Sequence, residues 1–166
     1  MKKIKAVLLC AVLVSVLLGN EQVAKAETGA DEKLVVEEAI DFVDDEGNVM
    51  ATFIPYSEDD PAPDKPGRTT THSVNFTVVA YEKCCSSRVF VLKDGHRIDL
   101  NIVINPQVSS NIGLYNHVTG KYGWPAGGLS SSVWNGYIIV NGDGDYSLAF
   151  CNNTNITTTY KGTYTL

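Results

Sequence analysis

Several signatures of reactive chemistry are missing from these 166 residues. There is no Gly-x-Ser-x-Gly elbow, no His-Glu-x-x-His pair and no phosphate-cradling glycine loop, which removes three common catalytic and nucleotide-binding arrangements. Histidine is limited to His72, His96 and His117, too scattered to announce a zinc site. Beyond residue 72 the only carboxylates are Glu82, Asp94, Asp99, Asp143 and Asp145, a poor supply for a two-carboxylate glycosidase. No marked excess of positive charge exists past the first few residues. Nucleic-acid binding is therefore not expected. No catalytic residue is assigned.

The one marked apolar run is at the start. Lys2, Lys3 and Lys5 precede Ala6 to Leu18, and Ala24-Lys25-Ala26 supplies the small-x-small pattern that signal peptidases cut after. The run is too short to remain as a membrane span. Residues 1–26 are read as a signal peptide, cleaved before Glu27, with a Lys-rich start resembling Gram-positive secretion signals. Cys10 lies inside the run behind Leu8-Leu9, so it is not read as a lipid anchor. A freely secreted, extracellular protein without a stable membrane anchor is the expectation.

The chain beyond Ala26 divides by charge. Residues 27–72 hold thirteen Asp/Glu against Lys33, Lys65 and Arg68, whereas residues 73–166 hold five against six Lys/Arg. The first part reads as an acidic, solvated segment, or else a pro-segment or an arm for a basic partner. Within it, residues 57–68 carry Pro61, Pro63 and Pro66, which lack the amide proton that ladders need, and read as a linker. Residues 31–43 fit a helix or a strand equally, while Val49 to Ile54 reads as a strand.

From Ser73 the pattern is β. Val74, Phe76, Val78 and Ala80 alternate with Asn75, Thr77 and Tyr81. Ile98, Leu100, Ile102 and Ile104 alternate with Asp99 and Asn101. Asp94-Gly95 reads as a hairpin turn before the second run. Asn141 to Asp145 joins two further strands, and Lys161-Gly162 divides the last two. About eight short strands with turn signals between them predict an all-β fold, a single antiparallel sandwich over residues 73–166.

Gly144-Asp-Tyr-Ser-Leu-Ala-Phe, the polar run Asn152 to Asn155, Ile156-Thr-Thr-Thr-Tyr-Lys-Gly-Thr-Tyr and the earlier Ile112-Gly-Leu-Tyr115 resemble parts of small secreted bacterial jelly-roll modules of the pre-peptidase C-terminal kind. The resemblance covers roughly residues 97–166. It implies a β-sandwich accessory or binding module and not a catalytic domain. The family's acidic calcium positions are not matched, so no ligand carries over.

Three local features invite a function. Asn141-x-Asp143-x-Asp145 has the alternating oxygens of a Ca2+ loop, yet the same residues suit a tight hairpin turn, and the turn is preferred. Cys84 and Cys85 are adjacent, so in a strand one of them faces the side from which it can reach Cys151. Such a bridge would stabilise by roughly 4 kcal/mol in the chain-entropy model. A bridge between neighbours, or three thiols, are the alternatives, and no Cys-x-x-Cys motif suggests redox catalysis. Tyr115, Tyr122, Trp124, Trp134 and Tyr137 crowd a Gly/Ser-rich stretch. Trp134 and Tyr137 are assigned to the core. Trp124 is placed in a loop, where with Tyr115 and Tyr122 it can meet an extracellular glycan or a protein. The expectation is a non-enzymatic binding protein. The alternative is a toxin-like or hydrolytic effector with a removable acidic segment.

Overall fold

The computed structural model describes residues 35–57, 69–106, 108 and 110–166. Residues 1–26, expected to be a signal peptide, with Cys10 among them, and positions 58–68 of the proline-rich stretch lie outside that range. The chain forms β1 (Ile40–Val43), β2 (Val49–Pro55), β3 (Thr71–Val78), β4 (Lys83–Cys85), β5 (Phe90–Leu92), β6 (Arg97–Asn105) and β7 (Ser110–Asn116). It continues through β8 (Lys121–Pro125), a 3-10 turn at Ala126–Gly128, β9 (Val133–Val140), β10 (Gly144–Asn152) and β11 (Thr158–Thr165). Among the described residues no helix is long and apolar enough to cross a membrane.

All strand ladders are antiparallel, and they follow one path: β3-β11-β6-β9-β2-β1-β8-β7-β10-β4, with β5 also on β10. The path folds over on itself and nearly closes. At one end β3 meets β10, the strand next to the other end, through Phe76 and Phe150, whose ring centroids are 4.5 Å apart, edge to face. Alternation decides which side of each strand is buried. In β6, Ile98, Leu100, Ile102 and Ile104 point inward and are 0–1% exposed. Trp134 of β9, fully buried, meets Phe42 and Phe53 edge to face at 6.1 and 5.1 Å. Each such side chain contributes ~1.5–3 kcal/mol by leaving water.

The all-β expectation holds, but several of its details change. There are eleven strands where about eight were expected over residues 73–166: β1 and β2 come from the acidic segment, β4 and β8 are additional, and the two strands expected at the C-terminal end are one, β11. The boundary at residue 73 does not divide the sheet. β1 and β2 lie before it in sequence and in the middle of the strand order, pairing with β8 and β9. Residues 40–43 resolve the helix-or-strand ambiguity as strand, with Phe42 buried.

Two expected hairpins are absent. The Asp94-Gly95 turn sends the chain from β5, beside β10, across to β6, beside β9 and β11. Asn141 to Asp145 likewise carries β9 over to β10 in the other half of the sheet. Turn chemistry specifies a bend, and a bend between the two halves uses the same glycines and aspartates as a hairpin. Lys161-Gly162 is no break at all: β11 runs straight through it. A side chain at 162 would put its Cβ 1.9 Å from the carbonyl oxygen of Asn101, so glycine serves the close approach of β6.

Candidate functional site

The site grows from the register of β7 against β8. Tyr115 faces Tyr122 directly, and Gly113 is two residues along β7 on the same outer face. Pairing with β10 sets Gly113 beside Ala149, and Ala149 beside Cys85 of β4. A row of small residues therefore crosses the outer face, and aromatic rings lie over it. The Trp124 indole covers Gly113: a Cβ there would be 2.7 Å from its Cε3. Tyr122 is half-buried, and its hydroxyl accepts from the Cys85 thiol, 3.6 Å away. Ala149 is fully buried although it points outward.

The rings form a continuous series. Tyr122 and Trp124 are near parallel, 6° between planes and 5.5 Å between centroids. Tyr115 meets Tyr122 at 4.6 Å, and His117 meets Tyr115 edge-on at 4.7 Å. The ammonium of Lys83 stands 4.4 Å from the Tyr122 centroid, a cation–π contact. Ser147 donates to the Arg88 carbonyl at 2.8 Å, so at the 2.9 Å contact between Ser147 Oγ and His117 Nε2 it is the imidazole that supplies the hydrogen. The Cys85 contact, followed by burial, pushes the Tyr122 hydroxyl up to about 12, so the ring is neutral at ordinary pH.

Beside this aromatic face lies a groove of about 450 Å³. Val43, Asp44 and Asp45 form one wall, Tyr122, Trp124 and Lys83 another, and the Pro125–Gly128 turn closes the end. Gly127 and Gly128 both take φ near +70°, where only glycine is unstrained. Asp44 fixes the first wall. It accepts from the Glu46 and Asn48 amides at 3.0 and 2.8 Å, from Asn48 Nδ2, and from Lys121 Nζ at 3.0 Å. Those donors, the Asn48 side chain first, hold its carboxyl well below the usual range. Lys121 also bridges to Glu46 at 2.8 Å.

Of the residues expected from sequence, Tyr115, Tyr122 and Trp124 are thus gathered on one face. Trp124 sits in β8 and not in a loop, held by pairing with Val43. Trp134 is core as expected, but Tyr137 is not. It lies on the opposite outer face, with the Arg97 guanidinium 3.9 Å above its ring. Arg97 there bonds Asp99 and the Tyr56 hydroxyl, which in turn bonds Asp99. Burial, then Asp99, pushes Tyr56 up to about 12. Gly113, Lys83 and Asp44 carry no signal in the sequence. Their roles depend on which strands become neighbours, and no local pattern reports that.

The other two features separate. Asn141 Nδ2 donates to the Val49 carbonyl at 2.9 Å, and Asp143 accepts from the Asp94 amide at 2.9 Å. Asp94 reciprocates by accepting from the Gly142 amide at 2.9 Å, which zips the two turns together. Asp145 lies in β10 opposite Val91. Among the described residues no three His, Cys, Asp or Glu side chains converge as metal ligands. Cys84, Cys85 and Cys151 are free thiols, so the expected bridge is not formed. Cys151 is paired with Lys83 and Ala149 with Cys85, which puts Cys85 and Cys151 on one face as diagonal neighbours. Diagonal positions lie ~7–8 Å apart, beyond ordinary disulfide reach. Cys84 packs against the core instead, and burial pushes its thiol up.

No family model matches the chain, and no curated protein matches it in sequence.

Proposed function

We propose that this is a secreted, non-enzymatic binding protein whose ligand is an extracellular glycan, held on the Tyr122–Trp124 face. The observation that carries the reading is the pair of near-parallel, half-exposed rings beside an open groove. Pyranose rings present flat C–H faces that stack on such aromatics, and their hydroxyls need both donors and acceptors. Asp45 and Lys83, both exposed at this groove, offer one of each. At about 450 Å³ the groove falls within the ~300–1,000 Å³ range of small-ligand sites, enough for a short stretch of polymer. The likeness of residues 97–166 to pre-peptidase C-terminal modules points the same way.

Binding by stacking and hydrogen bonds requires no reactive group. Tyr122 is neutral, Asp44 is occupied by four donors, and Lys83 lies over a ring. The experiment is depletion of the purified protein from solution by insoluble cell-wall glycan. Wild type should be retained, while Tyr122→Ala and Trp124→Ala should each lose at least about tenfold in affinity, as truncated aromatic anchors do. Equal retention of all three would remove the proposal.

A further inference from the structure

The sheet does not quite close, and the place where it fails has the features of a second binding site. β3 is the terminal strand of the path. It pairs with β11 over eight consecutive residues without a shift, and among the described residues no strand pairs with its other edge. Asn152 Nδ2 of β10 touches its backbone only at the end of the strand, donating to the Val78 carbonyl. Thr70 and Leu166 exchange both amide bonds, at 3.2 Å each. In an antiparallel ladder such pairs alternate, so the even-numbered residues of β3 bond β11 and the odd-numbered ones turn outward. The N–H and C=O of Ser73 and Asn75 therefore face the gap.

Exposed edges of this length are normally blunted by lysine, proline, bulges or brevity. β3 has none of these: Thr71-His-Ser-Val-Asn-Phe-Thr-Val78 holds no proline, lysine, arginine or carboxylate. The strands across the gap are blunted. β4 and β5 are three residues each, separated by Ser86–Val89, with Ser86 turned to bond Leu148 and Arg88.

The gap itself is a cavity of about 520 Å³ between the β3 edge and Ser86–Arg88, with Phe76, Phe150 and Tyr164 against it. At ~3.3 Å rise and ~4.8 Å strand spacing, this holds a few extended residues. A second copy of β3 fits badly, because it brings β11 with it and the Ser86–Arg88 wall leaves the sheet nowhere to continue. Arg88 and His72 line the cavity and no carboxylate does.

We propose that this gap takes one extended, acidic peptide segment from a partner, added as a strand along β3. The outward amides and carbonyls of Ser73 and Asn75 would supply the main-chain pairing. Alternate apolar side chains of the peptide would cover Phe76, and its acidic ends would meet Arg88. This does not depend on the glycan reading, since the pairing edge is that of β3 and the Arg88 guanidinium is not used at the aromatic face.

The test uses the peptide acetyl-Glu-Val-Thr-Val-Thr-Val-Glu-amide, with amide hydrogen exchange in the protein as the readout. Saturable binding is expected, with exchange at Ser73 and Asn75 slowed at least about tenfold. Two peptides N-methylated at alternate residues should differ, one binding like the parent and the other not at all, since only one edge of the strand meets β3. A version with Lys for both Glu should bind about tenfold more weakly, as loss of a charge-assisted contact implies, and Arg88→Gln should narrow that preference. No binding at millimolar peptide, equal binding of both methylated forms, or a dimer that protects Ser73 and Asn75 unaided would each overturn it.

Discussion

The Trp124 indole lies against the backbone of Gly113, so close that a methyl group there would stand 2.7 Å from Cε3 and 2.2 Å from the carbonyl oxygen of Gly123. The aromatic face thus depends on an absent side chain. Gly113→Ala should destabilise the protein by ~1–3 kcal/mol, the usual cost of overpacking. It should also displace Trp124 from the face. Thermal melts give the first effect, and a shift in tryptophan emission gives the second. An unchanged melt would contradict so close an approach of indole to backbone.

The tryptophans should respond oppositely to truncation. Trp134 is fully buried against Phe42 and Phe53, so Trp134→Ala should cost ~3–5 kcal/mol. Trp124 is half-buried on the outer face, so Trp124→Ala should lower stability much less while removing glycan retention. Denaturant melts of both variants decide the matter.

Asp44 links stability to acid. Its folded carboxyl is held below the usual range, chiefly by Asn48, so the ionised form is favoured by folding. That contribution is fully present above the unfolded carboxylate value of ~4 and is lost as pH falls below it. The wild type should therefore lose melting temperature between pH 5 and 3 more steeply than Asp44→Asn, by an amount that shrinks at higher pH. Parallel slopes would show that the turn does not hold the ionised form.

Tyr56 gives the opposite dependence. Its hydroxyl is pushed up to about 12, so its contribution is intact below the unfolded value of ~10 and disappears as pH rises through 12. Tyr56→Phe should flatten the alkaline loss of stability. Ultraviolet titration of the phenols, wild type against variant, provides the check.

Calcium should leave the melting temperature unchanged, because the side chains of Asn141 and Asp143 already serve backbone groups. A rise with millimolar Ca2+, abolished by Asp143→Asn, would restore the loop as a metal site.

The inward faces of the β strands are legible in the sequence because alternation is a local property. Ile98, Leu100, Ile102 and Ile104 need only period-two counting. Partnership is not legible. Asp94-Gly95 and Asn141–Asp145 read as hairpins because glycine and aspartate mark a bend without saying where the chain goes next. Gly162 reads as a break for the same reason, although its function is to admit the Asn101 carbonyl. At the candidate site the aromatic residues are visible by type. Gly113, Ala149 and Asp44 are not, since they matter only once β7 lies between β8 and β10. Trp124 looks like a loop residue because of its glycine and proline neighbours, yet Gly123 packs against Met50 and Pro125 is the last residue of β8.

The most direct test of the aromatic face is a fluorescence titration with soluble N-acetylglucosamine oligomers. The chain has two tryptophans, and with Trp134 buried the response should report Trp124. The account predicts saturable quenching or a blue shift in the wild type and in Trp134→Phe, and none in Trp124→Ala. A response that survives Trp124→Ala, or no response in the wild type to these or other cell-wall oligosaccharides at millimolar concentration, would contradict it.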